Sequence, residues 1–359
     1  MIPQIPADDA MGRLAGIAAP DGLVDIHTHA IDPDIPDLTG RYPGAWPSVE
    51  RLPDGRARVR IGGVRYRDVD ERCWSVERRL RDMDAEGVSV QVLSPMPATL
   101  LHSADAAGAA ELSRAQNDFL ARLVSRAPDR LLALGAVPLQ DPEAAAKELS
   151  RCVGELGFLG VEIGTRVAGL ELADEALDPF FRAAAETAAL IFIHPVDADV
   201  DPRLGPLGLG FGVGMPSETG LAAAGLLTSK VAQRRPAVRL CLAHGGGTLP
   251  SLLPRIDKGE RLRDLEVTEI ASDRARSLYC DSLTYDPDGL ALAVRRFGAT
   301  QVLLGTDYPF IARERPAGAG LEAAADRLPE DVVAAIGREN AFRLVEDLAT
   351  ARSTSTAES

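Results

Sequence analysis

The chain has 359 residues, 46% of them hydrophobic and 26% charged, with a formal net charge of −14. That length exceeds a typical single domain but suits a (β/α)8 barrel with insertions, and it buries enough surface to need no covalent staple. The acidic balance disfavours nucleic acid and anionic membrane as partners, and four cysteines without CxxC spacing exclude a cysteine-ligated zinc site and a disulfide framework.

Residues 1–20 read as a polar leader, without the basic and apolar regions of a signal peptide. No run approaches 18 apolar residues, so no membrane span is expected and the expected location is cytoplasmic. Gly22–Ile26 makes the first strand. From about 31 to 73 the chain turns rich in proline, arginine and glycine, and alternation about Gly62-Gly63 predicts a β-hairpin. This stretch is taken as a small β-subdomain inserted after strand 1, over the barrel mouth. Ser75 caps a helix that carries Val76, Leu80 and Met83 and stops at Gly87.

Regular alternation follows. Strands are expected at 88–93, 131–138, 160–163, 190–193, 238–243, 278–281 and 301–304, and helices at 109–125, 142–156, 178–188, 217–232, 249–262 and 287–297. With the first strand this makes eight βα units, hence an α/β fold of the TIM-barrel type spanning 21–350. No GxGxxG follows any strand, which leaves the dinucleotide version of an open doubly wound sheet unsupported. Two helical segments, about 319–336 and 339–348, precede a Ser/Thr tail; residues 351–359 are expected to be disordered.

Four of the five histidines follow apolar, strand-like runs: His27 and His29 after Val24-Asp25-Ile26, His194 after Ile191-Phe192-Ile193, and His244 after Leu240-Cys241-Leu242-Ala243. Asp307 follows a fifth such run. In a parallel barrel these strand ends share one mouth, where the chemistry of such folds is done. His27 and His29 lie on one side of extended chain, because side chains repeat every second residue. Two neutral imidazoles suit Zn²⁺, Fe²⁺ or Mn²⁺, and His194 and Asp307 can complete the ligand set. His244, followed by three glycines, reads as a general acid/base titrating near neutrality, with a fourth histidine ligand as the alternative. His102, with no strand before it, reads as structural. Lys147, Lys230 and Lys258 fall in predicted helices, which disfavours a carbamylated lysine bridging two metals.

Asp25-Ile26-His27-Thr28-His29, His194-Pro195, Ala243-His244-Gly245-Gly246-Gly247 and Gly305-Thr306-Asp307-Tyr308-Pro309-Phe310 together resemble the amidohydrolase superfamily. More narrowly they resemble its decarboxylase branch, typified by aminocarboxymuconate-semialdehyde decarboxylase. The similarity runs from about Asp21 to Leu348 and includes Cys73-Trp74, Glu155-Leu156-Gly157-Phe158, Val213-Gly214-Met215-Pro216 and Arg255-Ile256. It implies one zinc ion per subunit held by His27, His29, His194 and Asp307, iron or manganese being the alternatives, with His244 as acid/base beside Asp307. It implies that Arg67 grips a substrate carboxylate and that Arg255 does so across a homodimer interface. The residue types suit these roles, since a guanidinium fork matches a carboxylate bidentately.

One departure stands out. The family places tryptophans after the strand-five histidine and before Val-Gly-Met-Pro; here the first is Val196, and the loop offers Gly208 and Phe211. The expected pocket is therefore less aromatic and roomier, with Phe211 on its wall. The reading is a metal-dependent, non-oxidative decarboxylase of a small muconate-type or aromatic carboxylic acid. The alternative is a zinc hydrolase opening a lactone or amide with the same activated water.

Overall fold

A computed structural model describes residues 22–357 except 230 and 236; the expected leader, and Lys230, lie outside the described residues. The apolar runs form an eight-stranded parallel sheet: β1 (Leu23–Ala30), β5 (Val88–Pro95), β6 (Leu131–Gly135), β7 (Gly160–Ile163), β10 (Leu190–Ile193), β11 (Arg239–Leu242), β12 (Tyr279–Asp281) and β13 (Val302–Leu303), neighbours in that order. Backbone bonds from Ile26 N–H to the Leu304 carbonyl (2.9 Å) and from His29 N–H to the Tyr308 carbonyl (2.7 Å) close the last strand onto the first. The result is the TIM-type barrel expected from the alternation. No helix among the described residues is long and apolar enough to cross a membrane.

Side-chain parity divides the core in two. On β10, Ile191 and Ile193 pack outward against helices, while Leu190 and Phe192 face the barrel interior. The interior cluster also holds Leu344, Val345 and Leu348 of the last helix, which therefore plugs the barrel near Leu159, Leu190 and Tyr279, at the strands' amino ends. That helix runs Asn340–Ala357, so residues 351–357 are helical where disorder was expected. No glycine or proline interrupts it, and Arg352 donates to the carbonyls of Thr187 and Leu159, tying the segment to the barrel. The helix expected over 319–336 is instead split: one segment ends at Ala323, and Pro329 stands at the N-cap of the next, which opens at Glu330.

The insertion is an antiparallel sheet of β2 (Pro47–Arg51), β3 (Ala57–Ile61) and β4 (Val64–Val69), and β8 (Arg166–Val167) and β9 (Leu170–Glu171) pair as a short antiparallel ribbon after β7. Its β3–β4 turn is Gly62-Gly63, at φ 57° and 78°, the twice-positive backbone that a two-residue hairpin favours. Trp46, Val59, Val69, Met96 and Leu112 form a separate apolar cluster beneath this sheet. That cluster fixes β4, which carries Tyr66 and Arg67, beside the barrel mouth.

Candidate metal centre

One ligand atom from each of His27, His29, His194 and Asp307 lies within 4.8 Å of the others, and all four residues are buried. Each arrives differently. His194 continues the inward parity of Leu190 and Phe192. The pairing of β1 with β5 shifts register between Asp25 and Thr28. That irregularity moves the inward set from Val24 and Ile26 to His27 and His29, as bulges beside active sites do. Asp307 sits at φ 63°, in the left-handed region. Gly305 leaves the space between strands: a Cβ there would lie 2.8 Å from the Cβ atoms of His27 and Asp281.

The hydrogen bonds assign the tautomers. His27 Nδ1 lies 2.6 Å from Asp281 Oδ2, His29 Nδ1 3.0 Å from the Pro95 carbonyl, and His194 Nδ1 2.7 Å from the Pro195 carbonyl. Each partner is an acceptor, so each neutral ring carries its proton on Nδ1 and turns an Nε2 lone pair inward. The Nε2 atoms of His27 and His29 face each other at 3.1 Å, Asp307 Oδ1 lies 3.2 Å from His29 Nε2, and His194 Nε2 has no partner among the described residues. Three lone pairs and a carboxylate converging in a buried space repel one another unless a cation lies between them. This donor set fits one divalent ion with a coordination position left over.

His244 breaks the parity of its strand, since Leu240 and Leu242 face outward. Its own φ of 58° and those of Gly245, Gly246 and Gly247 (63°, 79° and 61°) turn the chain at the barrel mouth. A Cβ at Gly247 would come within 2.2 Å of the Pro216 carbonyl oxygen, so the tight passage expected from three glycines is real. The ring reaches His194 at 4.9 Å and His27 at 5.4 Å between centroids. Burial pushes the His244 imidazole down to about 4. The expectation that it titrates near neutrality is thus corrected: in the unliganded site it is a neutral imidazole.

The pocket above these groups is a cleft of about 900 Å³ lined by His194, His244, Asp307, Arg67, Phe211 and Phe310, among others. Five arginines reach it. Arg56, Arg72, Arg313 and Arg315 each approach an acidic side chain, whereas Arg67 makes no ion pair among the described residues. Its guanidinium lies 4.6 Å from the Tyr66 ring centroid and 4.3 Å from that of Phe310, and donates to the Tyr66 hydroxyl at 2.9 Å. Phe310 in turn stacks on His29, 5.2 Å between centroids. Arg255 lies exposed on the helix Leu249–Arg263 and takes no part in its own chain's pocket. Trp74 packs against the core, and His102 is buried, accepting from the Gly164 N–H at 3.0 Å.

Sequence reasoning missed Asp281 and Glu162. Asp281 accepts from His27 Nδ1 and from the backbone N–H groups of His244, Gly245 and Leu283. It closes β12 at the strand's carboxyl end, where His194 follows β10, and that signal was available. Glu162 faces inward from β7, 3.9 Å from His29 Nδ1; burial holds its carboxyl well above the usual range.

Comparison with known proteins places this geometry. The model of the amidohydrolase family Amidohydro_2 matches residues 24–346. The chain is 35% identical over 292 residues to a 2-amino-3-carboxymuconate-6-semialdehyde decarboxylase of Dictyostelium discoideum, covering 80% of this chain and 81% of that one. It is 30% identical over 304 residues to a gamma-resorcylate decarboxylase of Rhizobium radiobacter, covering 79% and 91%. A dihydroxybenzoic acid decarboxylase of Polaromonas sp. JS666, solved with manganese and 2-nitroresorcinol, superposes with a TM-score of 0.70 at 25% identity, over 90% of this chain and 97% of that one. With a family match over nearly the whole barrel and the site built at its mouth, the chain belongs to the amidohydrolase family.

Proposed function

We propose that this protein is a metal-dependent, non-oxidative decarboxylase of a muconate-type or aromatic carboxylic acid, working as a cytoplasmic homodimer with one zinc ion per subunit. The observation that carries the reading is the stack of Arg67 on Phe310 and of Phe310 on His29. It holds a guanidinium that has no carboxylate partner among the described residues one ring away from the candidate metal ligands. A carboxylate between them would meet positive charge on both sides, inside a shell that is acidic overall. The decarboxylase names of the relatives support the same reading.

His27, His29, His194 and Asp307 would hold the ion, which polarises oxygens placed against it and stabilises developing negative charge. The chain's own residues do the rest. Arg67 orients the carboxylate with its free N–H edge, while Phe211 and Phe310 flank the organic part. His244, neutral at rest, takes a proton from solvent water in the cleft as the substrate carboxylate enters, and gives it to the carbon that loses carbon dioxide. The bond from that carbon to the carboxylate breaks, its electron pair takes the proton, and the acid leaves as a hydrocarbon position plus carbon dioxide. In that dimer Arg255, exposed on its helix, would serve the partner subunit's pocket rather than its own.

The test combines elemental analysis with turnover. Zinc-loaded protein is incubated with a panel of muconate-type and hydroxybenzoic acids, and with lactones and amides, while released carbon dioxide is measured. Carbon dioxide from at least one acid, lost on chelation, is the expected result. Turnover confined to lactones or amides would install the hydrolase instead.

A further inference from the structure

A second cavity, of about 140 Å³, lies behind the wall of the catalytic cleft. Tyr66 and Asp197 line both spaces, and the Tyr66 hydroxyl donates a hydrogen bond to the Asp197 carboxylate, forming a partition. Apolar wall is supplied by Ala98, Leu101, Ala168 and Val196, the last two residues beyond His194. A space of this size matches the ~150 Å³ cavities that admit one benzene ring.

His102 lines the same cavity and is 5% exposed. Its Nε2 accepts from the Gly164 N–H at 3.0 Å, so the neutral ring carries its proton on Nδ1. That Nδ1 has no partner among the described residues. Gly164 lets the backbone pass close to the ring, for a Cβ there would stand 3.0 Å from its Cδ2. A buried N–H without an acceptor is destabilising. An occupant bringing an acceptor oxygen to apolar walls therefore gains twice, by contact and by satisfying this donor.

We infer that the cavity is a side subsite of the catalytic cleft. It takes an apolar arm of the carboxylic acid substrate that bears a hydrogen-bond acceptor, such as a methoxy or acyl oxygen. The Tyr66–Asp197 pair parts to admit the arm, and His102 Nδ1–H receives its oxygen. The inference rests on the reading of the main cleft as a carboxylate site, and the experiment separates the two.

Zinc-loaded protein is titrated calorimetrically with benzoate and with benzoates carrying one methoxy or acetyl group at each ring position. Anisole and acetophenone, which lack the carboxylate, are titrated in parallel. At least one substituted acid should bind tenfold or more tightly than benzoate on the same protein. Val196→Trp, which fills the cavity, should erase that ratio, and His102→Phe should reduce it several-fold. Ala98→Leu fills the opposite wall and serves if either variant fails to fold. Should no acid bind, the cleft reading fails, and the subsite stands only if acetophenone binds wild type and not Val196→Trp. A ratio near one for every acid, or a tenfold ratio that survives both filling variants, overturns the subsite.

Discussion

The Arg79 guanidinium donates to the main-chain carbonyl of His29 at 2.7 Å, from within the helix Val76–Ala85. It also donates to Thr28 Oγ1, Gln91 Oε1 and the Arg72 carbonyl, and lies 4.7 Å from the Tyr308 ring centroid. It is 2% exposed and makes no ion pair with a carboxylate among the described residues. A buried cation spent on neutral acceptors is a clamp: it ties the His27–His29 strand end to β5, to the exit of the insertion and to the segment after Asp307. Arg79→Met should weaken zinc binding ~10–100-fold, the usual cost of losing support behind a metal ligand. Arg79→Lys should recover part of it through one remaining donor. The measurement is a chelator competition beside a melting curve. A lower melting temperature with unchanged zinc affinity would reduce Arg79 to ordinary packing.

Asp281 serves two clients with two oxygens. Oδ2 takes His27 Nδ1 and the His244 N–H, at 2.6 and 2.9 Å, and Oδ1 takes the N–H groups of Gly245 and Leu283, at 2.8 and 3.0 Å. Both oxygens are fully used as acceptors. Asp281→Asn keeps the shape but must aim an NH₂ at two donors whichever way the amide is turned. It should therefore lower zinc affinity and kcat together, whereas Asp281→Glu should fail through length. Zinc stoichiometry after dialysis and single-turnover rates on the most active acid check this.

The two pocket histidines that touch each other should separate cleanly. His194 offers a buried Nε2 to the ligand set, while His244 stands outside the group of four. His194→Ala should release the metal. His244→Ala should retain it and lose ~10²–10⁴-fold in kcat, the range general acid/base groups supply. Metal loss on His244→Ala would make His244 a ligand and leave the proton transfer without an owner.

Much of this was legible in the chain, for reasons that also mark where legibility ended. β10 reads from its apolar run alone, and plain period-two parity carries it onward to His194. β12 obeys the same parity from Tyr279 to Asp281, yet an aspartate after a short strand offers no spacing motif to catch the eye. His27 and His29 were recognisable as a pair, but their inward aim depends on a register shift that no periodicity encodes. Arg79 was invisible because a helical arginine is solvated in most sequences, and only the tertiary fold reveals four neutral acceptors around this one. Arg255 is the converse case: the resemblance named it, and within a single chain its position leaves it in solvent.

The His102 that lines the side cavity also makes a pH-dependent prediction. Burial pushes its imidazole from an ordinary 6.5 down to about 4. Between those values the unfolded chain binds a proton that the folded protein refuses, so stability must fall as pH drops through that window. Above pH 7 both states are neutral and the residue contributes nothing to the slope. At pH 5 the unfolded ring is almost wholly protonated while the folded ring is still about nine-tenths neutral, a penalty of about 2 kcal/mol at 1.36 kcal/mol per pKa unit. His102→Gln keeps a polar side chain and removes the titration. Other titrating groups, including the metal ligands, are common to both proteins and cancel in the difference. The gap in urea-unfolding stability between wild type and His102→Gln should therefore move by about 2 kcal/mol in the variant's favour between pH 7 and pH 5. An unchanged gap would mean that the folded ring accepts its proton as readily as the unfolded one, and that the Gly164 N–H does not hold Nε2 as an acceptor.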